Sequence, residues 1–273
     1  MGLAEWCARS TRAVLVATAR GLDRTRACCV SLAAATLRLD DVRAGIENTW
    51  RGYVVDEAEI DAGLDPAETA VVTRFVTAGD RVLVVGCGTG RDVIPLVRMG
   101  CDVVGIDPVR EVVAAARRAL DRRGLRASIV DGYFEDAQIR GRFDVILFSN
   151  HCYSYIPERR RRVEMLRKAA DQLTSRGRLL VTYIASPSPA GTRSLRAMQS
   201  VARLTRSDWQ PEAGDRLEPL DGARGSFAYE HLFRPGELEA EAHDAGLTVL
   251  PHREHPHARQ MLVLVSDGSL TPP

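Results

Sequence analysis

The chain has 273 residues, 45% apolar and 27% charged, with 37 basic against 36 acidic side chains and a formal net charge of +1. That length and composition fit one large domain with appendages. The near-neutral balance excludes a broad positive field of the kind that draws proteins to nucleic acid or anionic membranes, and no stretch of 18 uncharged apolar residues offers a membrane span.

Residues 1–77 read as a helical extension, or cap, ahead of the first strand. Arg9, Arg12 and Arg20 break its apolar stretches, so no signal-peptide core forms. Over residues 9–43 arginine exceeds acid, which suits a helix pair that caps the core or joins two copies in a homodimer, rather than a membrane anchor. Six cysteines, at 7, 28, 29, 87, 101 and 152, form no CxxC pair, and Cys87 and Cys101 lie in apolar runs. A reducing compartment, and so a cytoplasmic protein, is expected.

From residue 81 short β-branched runs alternate with helical patterns. The runs are RVLVVG (81–86), DVVGID (102–107), ASIVD (127–131), FDVILFS (143–149), RLLVTYI (178–184), LTVLP (247–251) and QMLVLVS (260–266). The early ones are nearly continuous apolar, as strands buried on both faces should be. Between them PVREVVAAARRAL places Val109, Val112, Val113, Ala116 and Leu120 on one helical face. Helices are expected to open at Pro157 and Pro235, and Gly100, Gly124, Gly177 and Gly246 to close helices before the next strand. Repeated βα units require a Rossmann-like, mostly parallel sheet with helices on both faces. The last two runs are joined by too few residues for a crossover helix, so the final strand should run antiparallel. The core is therefore residues 78–273. An insert over 185–230, rich in Pro, Gly and Ser, leaves the carboxyl edge of the sheet after Ile184 and is expected to serve as a substrate lid.

The first run ends in GCGTG. Gly86, Gly88 and Gly90 lack Cβ atoms, so the chain can turn tightly and a ligand can lie against the backbone and the amides of the following helix. A dinucleotide fingerprint GxGxxG would place glycine at 91, where this chain has arginine. Asp107 ends the second strand about twenty residues on, the offset at which an acid meets a ribose diol. Asp131 ends the third strand, placed to accept from an adenine amino group, and the fourth ends in small polar residues.

This ordered set resembles the class I S-adenosylmethionine-dependent methyltransferases, over residues 78–184 and again through FRPGELEAEAHDAGLTVL to the end. The resemblance implies a seven-stranded sheet whose last strand is antiparallel, with S-adenosyl-L-methionine as cofactor. It implies that the loop of Gly86, Cys87, Gly88 and Gly90 wraps the methionine part and that Asp107, with Pro108 beside it, holds the ribose. Asp131 and Gly132 would then flank the adenine, and Ser149 and Asn150 would line the methionine side. It also implies an aromatic residue from an N-terminal helix over the cofactor, for which Tyr53 is the choice; pinning of the helices to the sheet by Trp50 and Tyr53 is the other reading. Many members carry Asp or Glu two residues before the first glycine, where this chain has Val84.

Methyl transfer requires alignment of a nucleophile behind a sulfonium carbon, and a base only where that nucleophile holds a proton. The fourth strand runs into SNHCYSYIP, without the N/D-P-P-Y/F motif of enzymes that methylate base or amide nitrogens. His151 is the nearest candidate base, or else a histidine capping or packing the next helix. Tyr155 is a second catalytic candidate; it and Tyr153 line the pocket or pack the core. His252, His255 and His257 in PHREHPH do not follow a standard ligand spacing, and no metal is expected. The arginines of ERRRRVEMLRK spread around a helix axis, as a solvated face does, leaving no strong nucleic-acid signal. The expected reaction is transfer of a methyl group to O or N of a small-molecule acceptor. Methylation of protein or RNA, which calls for an open charged groove, is the alternative, followed by nucleotide or NAD binding without methyl transfer.

Overall fold

The computed structural model describes residues 18, 21–23, 25–51, 57–186, 192–223, 225–251 and 260–266. Among the described residues, a helical stretch over 25–34 and the helices α1 (Leu39–Arg51), α2 (Glu57–Ala62) and α3 (Pro66–Phe75) precede the sheet. The core then runs β1 (Arg81–Val85), α4 (Val93–Arg98), β2 (Asp102–Asp107), α5 (Arg110–Arg122), β3 (Ser128–Asp131), β4 (Phe143–Phe148), α6 (Arg159–Asp171) and β5 (Leu173–Tyr183). After it come α7 (Thr192–Leu204), β6 (Asp215–Pro219), β7 (Phe227–His231), α8 (Glu237–Asp244), β8 (Leu247–Leu250) and β9 (Gln260–Ser266).

Seven strands form one sheet in the order β3-β2-β1-β4-β5-β9-β8. The first five are mutually parallel, and β9 runs antiparallel between β5 and β8. This is the expected architecture, and its cause is visible in the burial. Val82, Leu83 and Val84 of the central strand are wholly buried, because helices cover both faces. α5 packs through Val112, Val113, Ala116, Ala119 and Leu120, the apolar stripe expected from its spacing.

The helices do not all begin where expected. α6 opens at Arg159 and α8 at Glu237, each two residues after its proline, because Glu158 (φ 67°) and Gly236 (φ 79°) take left-handed conformations that interrupt the helical path. Gly177 closes no helix. It lies inside β5, which begins at Leu173 and shifts register against β4 before settling into regular pairing.

The 185–230 segment is more ordered than its composition suggested. It contains α7 and an antiparallel pair in which β6 meets β7 from Asp215–His231 to Pro219–Phe227. β7 alternates, burying Phe227, Tyr229 and His231. This pair does not stand alone. Leu37, Leu39 and Val42, around the start of α1, share one apolar cluster with Trp209, Phe227 and Tyr229 of the insert. Asp208 accepts a hydrogen bond from the Leu39 amide at 2.9 Å, at the N-terminus of α1. The two segments, far apart in sequence, thus form one cap.

α1 and β7 meet tightly at Gly45, where a Cβ would stand 2.0 Å from the Phe227 carbonyl oxygen. Gly45→Ala should therefore destabilise the protein by about 1–3 kcal/mol through overpacking, despite alanine's better helix propensity. Urea unfolding checks this; a stabilised variant would show that α1 can slide off β7 at no cost.

Candidate active site

The site is built where β1, β2 and β4 end side by side. The amides of Gly86 and Cys87 both donate to the Ile106 carbonyl, and the Ser149 amide donates to Val85. Four glycines in this neighbourhood have different jobs. Gly86 (φ 70°) is required by the protein's own packing, since a Cβ there would meet the Cys152 Cβ at 2.5 Å. Gly88 (φ 50°) and Gly132 (φ 137°) face nothing within 4 Å, so they border open space that a ligand can fill. Gly90 faces Ala116 of α5 instead.

Asp107 organises the turn. Its Oδ2 accepts from the Gly88 amide at 3.0 Å and its Oδ1 from the Val109 amide at 2.9 Å. Burial pushes its carboxyl up to about 6, against the pull of those two amides. Val84 leaves no polar group under the loop from β1, and this anchor from the neighbouring strand supplies the support. The Cys87 and Cys152 thiols beside it are held protonated by burial.

A buried charge network lies next to the turn. Arg91 donates through Nε to Asp92 at 2.6 Å and through Nη2 to both Glu68 oxygens at 3.0 and 2.9 Å. Ser149 donates to the other Asp92 oxygen. Burial, with the Asp92 charge, raises the Glu68 carboxyl; burial works against the Arg91 charge, but Asp92 and Glu68 outweigh it and keep the guanidinium ionised. One chain of bonds therefore connects α3, the glycine turn and the end of β4.

These elements surround a cavity enclosing about 1270 Å³ of empty space, part of it open to solvent. Gly86, Cys87, Gly88, Asp107, Pro108, Gly132, Ser149, Asn150 and Tyr155 line it. Gly90, Asp131 and His151 are not among its walls. Asp131 ends β3 and pairs with Arg110 at 3.0 Å. His151 occupies a left-handed turn (φ 61°), and its amide donates to the Thr182 hydroxyl at 2.7 Å. Tyr153 belongs to the core, its hydroxyl donating to Glu241 at 2.9 Å. Tyr53, His252, His255 and His257 lie outside the described residues.

Other walls were not anticipated. Arg43, Ile46 and Trp50 reach the cavity from α1. Their spacing of three and four is the signal that could have found them, since it puts all three on one helical face. Trp50 meets Tyr155 edge to face, with ring centroids 5.3 Å apart. Thr89, Arg91 and Tyr133 also line the space. The Tyr133 hydroxyl donates to Glu47 of α1 at 2.6 Å, Arg43 lies 5.0 Å over the Tyr133 ring, and Arg43 pairs with Glu135. Burial and the Glu47 carboxylate push the Tyr133 hydroxyl up, so it stays a donor.

Residues 82–177 match the methyltransferase domain family. A ubiquinone biosynthesis O-methyltransferase of Azorhizobium caulinodans is 29% identical over 170 residues, 62% of this chain and 58% of that protein. The namesake from Xanthomonas euvesicatoria pv. vesicatoria is 26% identical over 210 residues, covering 76% of this chain and 79% of that one. Among solved structures, an S-adenosylmethionine-dependent methyltransferase of Clostridium acetobutylicum aligns with a TM-score of 0.53 at 12% identity, covering 78% of this chain and 92% of that one. DesVI of Streptomyces venezuelae aligns with a TM-score of 0.54 at 20% identity, covering 78% and 100%. At these identities the structures speak to the fold alone.

Removing Arg91 would leave Glu68 and Asp92 buried and unpaired. Arg91→Met is expected to cost about 3–5 kcal/mol in denaturant unfolding, and Glu68→Gln in the same chain to recover part of it. Additive losses in the double variant would show that the two groups are not coupled.

Proposed function

We propose that this chain, a member of the class I S-adenosylmethionine-dependent methyltransferases, transfers the cofactor's methyl group to an oxygen atom of a small, largely apolar acceptor. The observation that carries this is the wall of the cavity. Ile46, Trp50, Tyr155, Ile156 and Met165 make it apolar, and α1 covers it, whereas a protein or RNA substrate calls for an open charged groove. The relatives named ubiquinone biosynthesis O-methyltransferase support oxygen over nitrogen.

The residues fit the cofactor. Gly88 and Gly132 leave open space on both sides of a buried carboxylate, Asp107, which has lone pairs beyond those its two amide partners use. Asp107 would hold the ribose hydroxyls, Ser149 and Asn150 would border the methionine part, and Gly132 with Tyr133 would border the adenine. Asp131, paired with Arg110, is left out of this reading. Trp50 would cover the site from α1. When bound, the cofactor supplies a methyl group on a positively charged sulfur. The chain's task is then to hold the acceptor oxygen about 3–3.5 Å from that carbon and to keep water away. Tyr155, against Trp50, would orient the acceptor. His151 is not a wall residue, so it is given no role as base; the acceptor hydroxyl would release its proton to solvent through the open side of the cavity, and alignment would have the main role. No described helix is long and apolar enough to cross a membrane; the free cysteines, Cys87 and Cys101 buried among them, support a cytoplasmic location.

Incubation with methyl-labelled donor tests the reaction. Label should pass to hydroxylated aromatic small molecules such as catechol, appear as a base-stable ether, and be absent from protein and RNA fractions. Label confined to macromolecules would reject the reading.

Asp107 gives a second check. Its ionised form is the better acceptor for ribose hydroxyls, and its carboxyl titrates at about 6 in the free protein. Affinity for S-adenosylhomocysteine should thus weaken about tenfold from pH 7 to pH 5, the limit for one linked proton with that midpoint. Asp107→Asn should bind weakly at both values. Calorimetry decides; a pH dependence retained in the variant would assign it to another group.

A further inference from the structure

His231 ends β7, fully buried, with a carboxylate at each ring nitrogen. Nδ1 is 2.8 Å from Asp215 Oδ1 on β6, and Nε2 is 3.3 Å from Glu237 Oε1 at the start of α8. A neutral imidazole carries a single N–H, so it would satisfy one oxygen and turn a lone pair towards the other. Only the imidazolium donates to both.

The surroundings favour that form. Asp215 also accepts from the Tyr229 hydroxyl at 2.9 Å and the Glu212 amide at 2.7 Å. Arg234 donates to Glu237 at 3.1 Å. Arg162, buried on α6, donates to Glu212 at 3.1 Å and to Glu241 at 2.8 Å. Phe233 meets the histidine ring edge-on with centroids 4.7 Å apart. The carboxylates Glu212, Asp215, Glu237 and Glu241 thus face the guanidiniums Arg162 and Arg234, and a proton on His231 offsets the surplus of negative charge. Burial works against this charge, but the bonds to Asp215 and Glu237 outweigh it and raise the histidine's pKa. Glu212, Asp215 and His231 are close enough to suit a cation, but Arg162 already engages Glu212 and Tyr229 engages Asp215; the cluster is an ion-pair network.

The network lies at a joint. β6 and β7 belong to the cap, and α8 packs on β8 of the main sheet. α1 rests on β7 at Gly45 and carries Arg43, Ile46 and Trp50 into the cavity. We propose that His231 is a positioning residue: as the imidazolium it pins β7 to α8, and through β7 it holds α1 over the cofactor cavity. The proposal rests on the cofactor reading of that cavity. The folded histidine binds its proton more tightly than the unfolded one, so the clamp is complete below about pH 6.5 and is lost as pH rises through the raised value.

Hydrogen–deuterium exchange on the full ligand-free chain, corrected for intrinsic rates, reads the cap directly. Protection of residues 39–51 should fall at least about fivefold between pH 6 and pH 9 in the wild type, as a local opening does when one anchor is lost. His231→Gln should show no such step, and Glu237→Gln, which keeps the histidine, should lose it too if the first variant folds poorly. Between pH 7 and pH 9, above the range in which Asp107 titrates, S-adenosylhomocysteine affinity should weaken in the wild type and stay flat in the variants. Constant protection in the wild type, or a step surviving in Glu237→Gln, overturns the proposal. If S-adenosylhomocysteine binds at no pH, the cofactor reading fails, and the exchange step still decides whether His231 clamps the cap.

Discussion

At residue 86 the chain leaves the central strand with no room for a side chain, and much of the site follows from that. The segment after β4 folds back over the end of β1, its Ser149 amide bonded to Val85 and its Cys152 thiol donating to the same carbonyl at 3.1 Å. Only a glycine fits beneath Cys152. Because the chain must turn there in a left-handed conformation, residues 87–89 swing out over β2, where Asp107 can reach the Gly88 amide. The open space beside Gly88 is thus a by-product of close packing one turn earlier. A ligand site and a core contact are fixed by the same few atoms, which is why rigid strand ends make precise sites.

Two arginines, Arg162 fully buried and Arg91 partly so, flank this arrangement and do similar work. Arg91 connects α3 to the turn and to β4 through Glu68, Asp92 and Ser149. Arg162 connects α6 to α8 and the cap through Glu241 and Glu212, and its Nη1 donates to the Ile156 carbonyl, at 3.4 Å, in the cavity wall. Buried ion pairs are a weak source of net stability, because desolvation cancels most of the attraction. Their effect is on geometry. A planar fork fully engaged by carboxylates tolerates few alternative placements. Asp107 completes the picture from the opposite side: burial makes its charge costly in the free protein, and a ligand offering hydroxyls relieves that cost.

The sheet was legible because its strands are buried on both faces, so 81–86, 102–107 and 143–149 read as unbroken apolar runs. The glycines and Asp107 were legible because each terminates such a run. The cap was not. Pro219, Gly222 and Gly225 hid an alternating strand at 227–231, and the contact of Gly45 with Phe227 spans too many residues for any local pattern. Trp50 is legible through helix spacing, since Arg43, Ile46 and Trp50 recur on one face of α1. Asp131 and His151 are placed by the sequence only as residues at strand ends. A side chain's direction there depends on single-residue conformations, such as the left-handed His151, that FSNHCYSY does not announce.

The cap's composition from two distant segments has a physical consequence. A 13-residue helix is marginal alone, and so is a two-stranded sheet. α1 and the β6–β7 pair support each other through a small cluster around Trp209, whose buried indole N–H has no hydrogen-bond partner. An unmet donor of this kind costs about 1–3 kcal/mol. The seven-stranded sheet packs between two large apolar clusters. Local stability should therefore fall from the sheet towards the cap. On the proposed function, that gradient places the easiest opening on the side from which an acceptor would enter, and leaves the glycine turn and Asp107, on the rigid side, undisturbed by it.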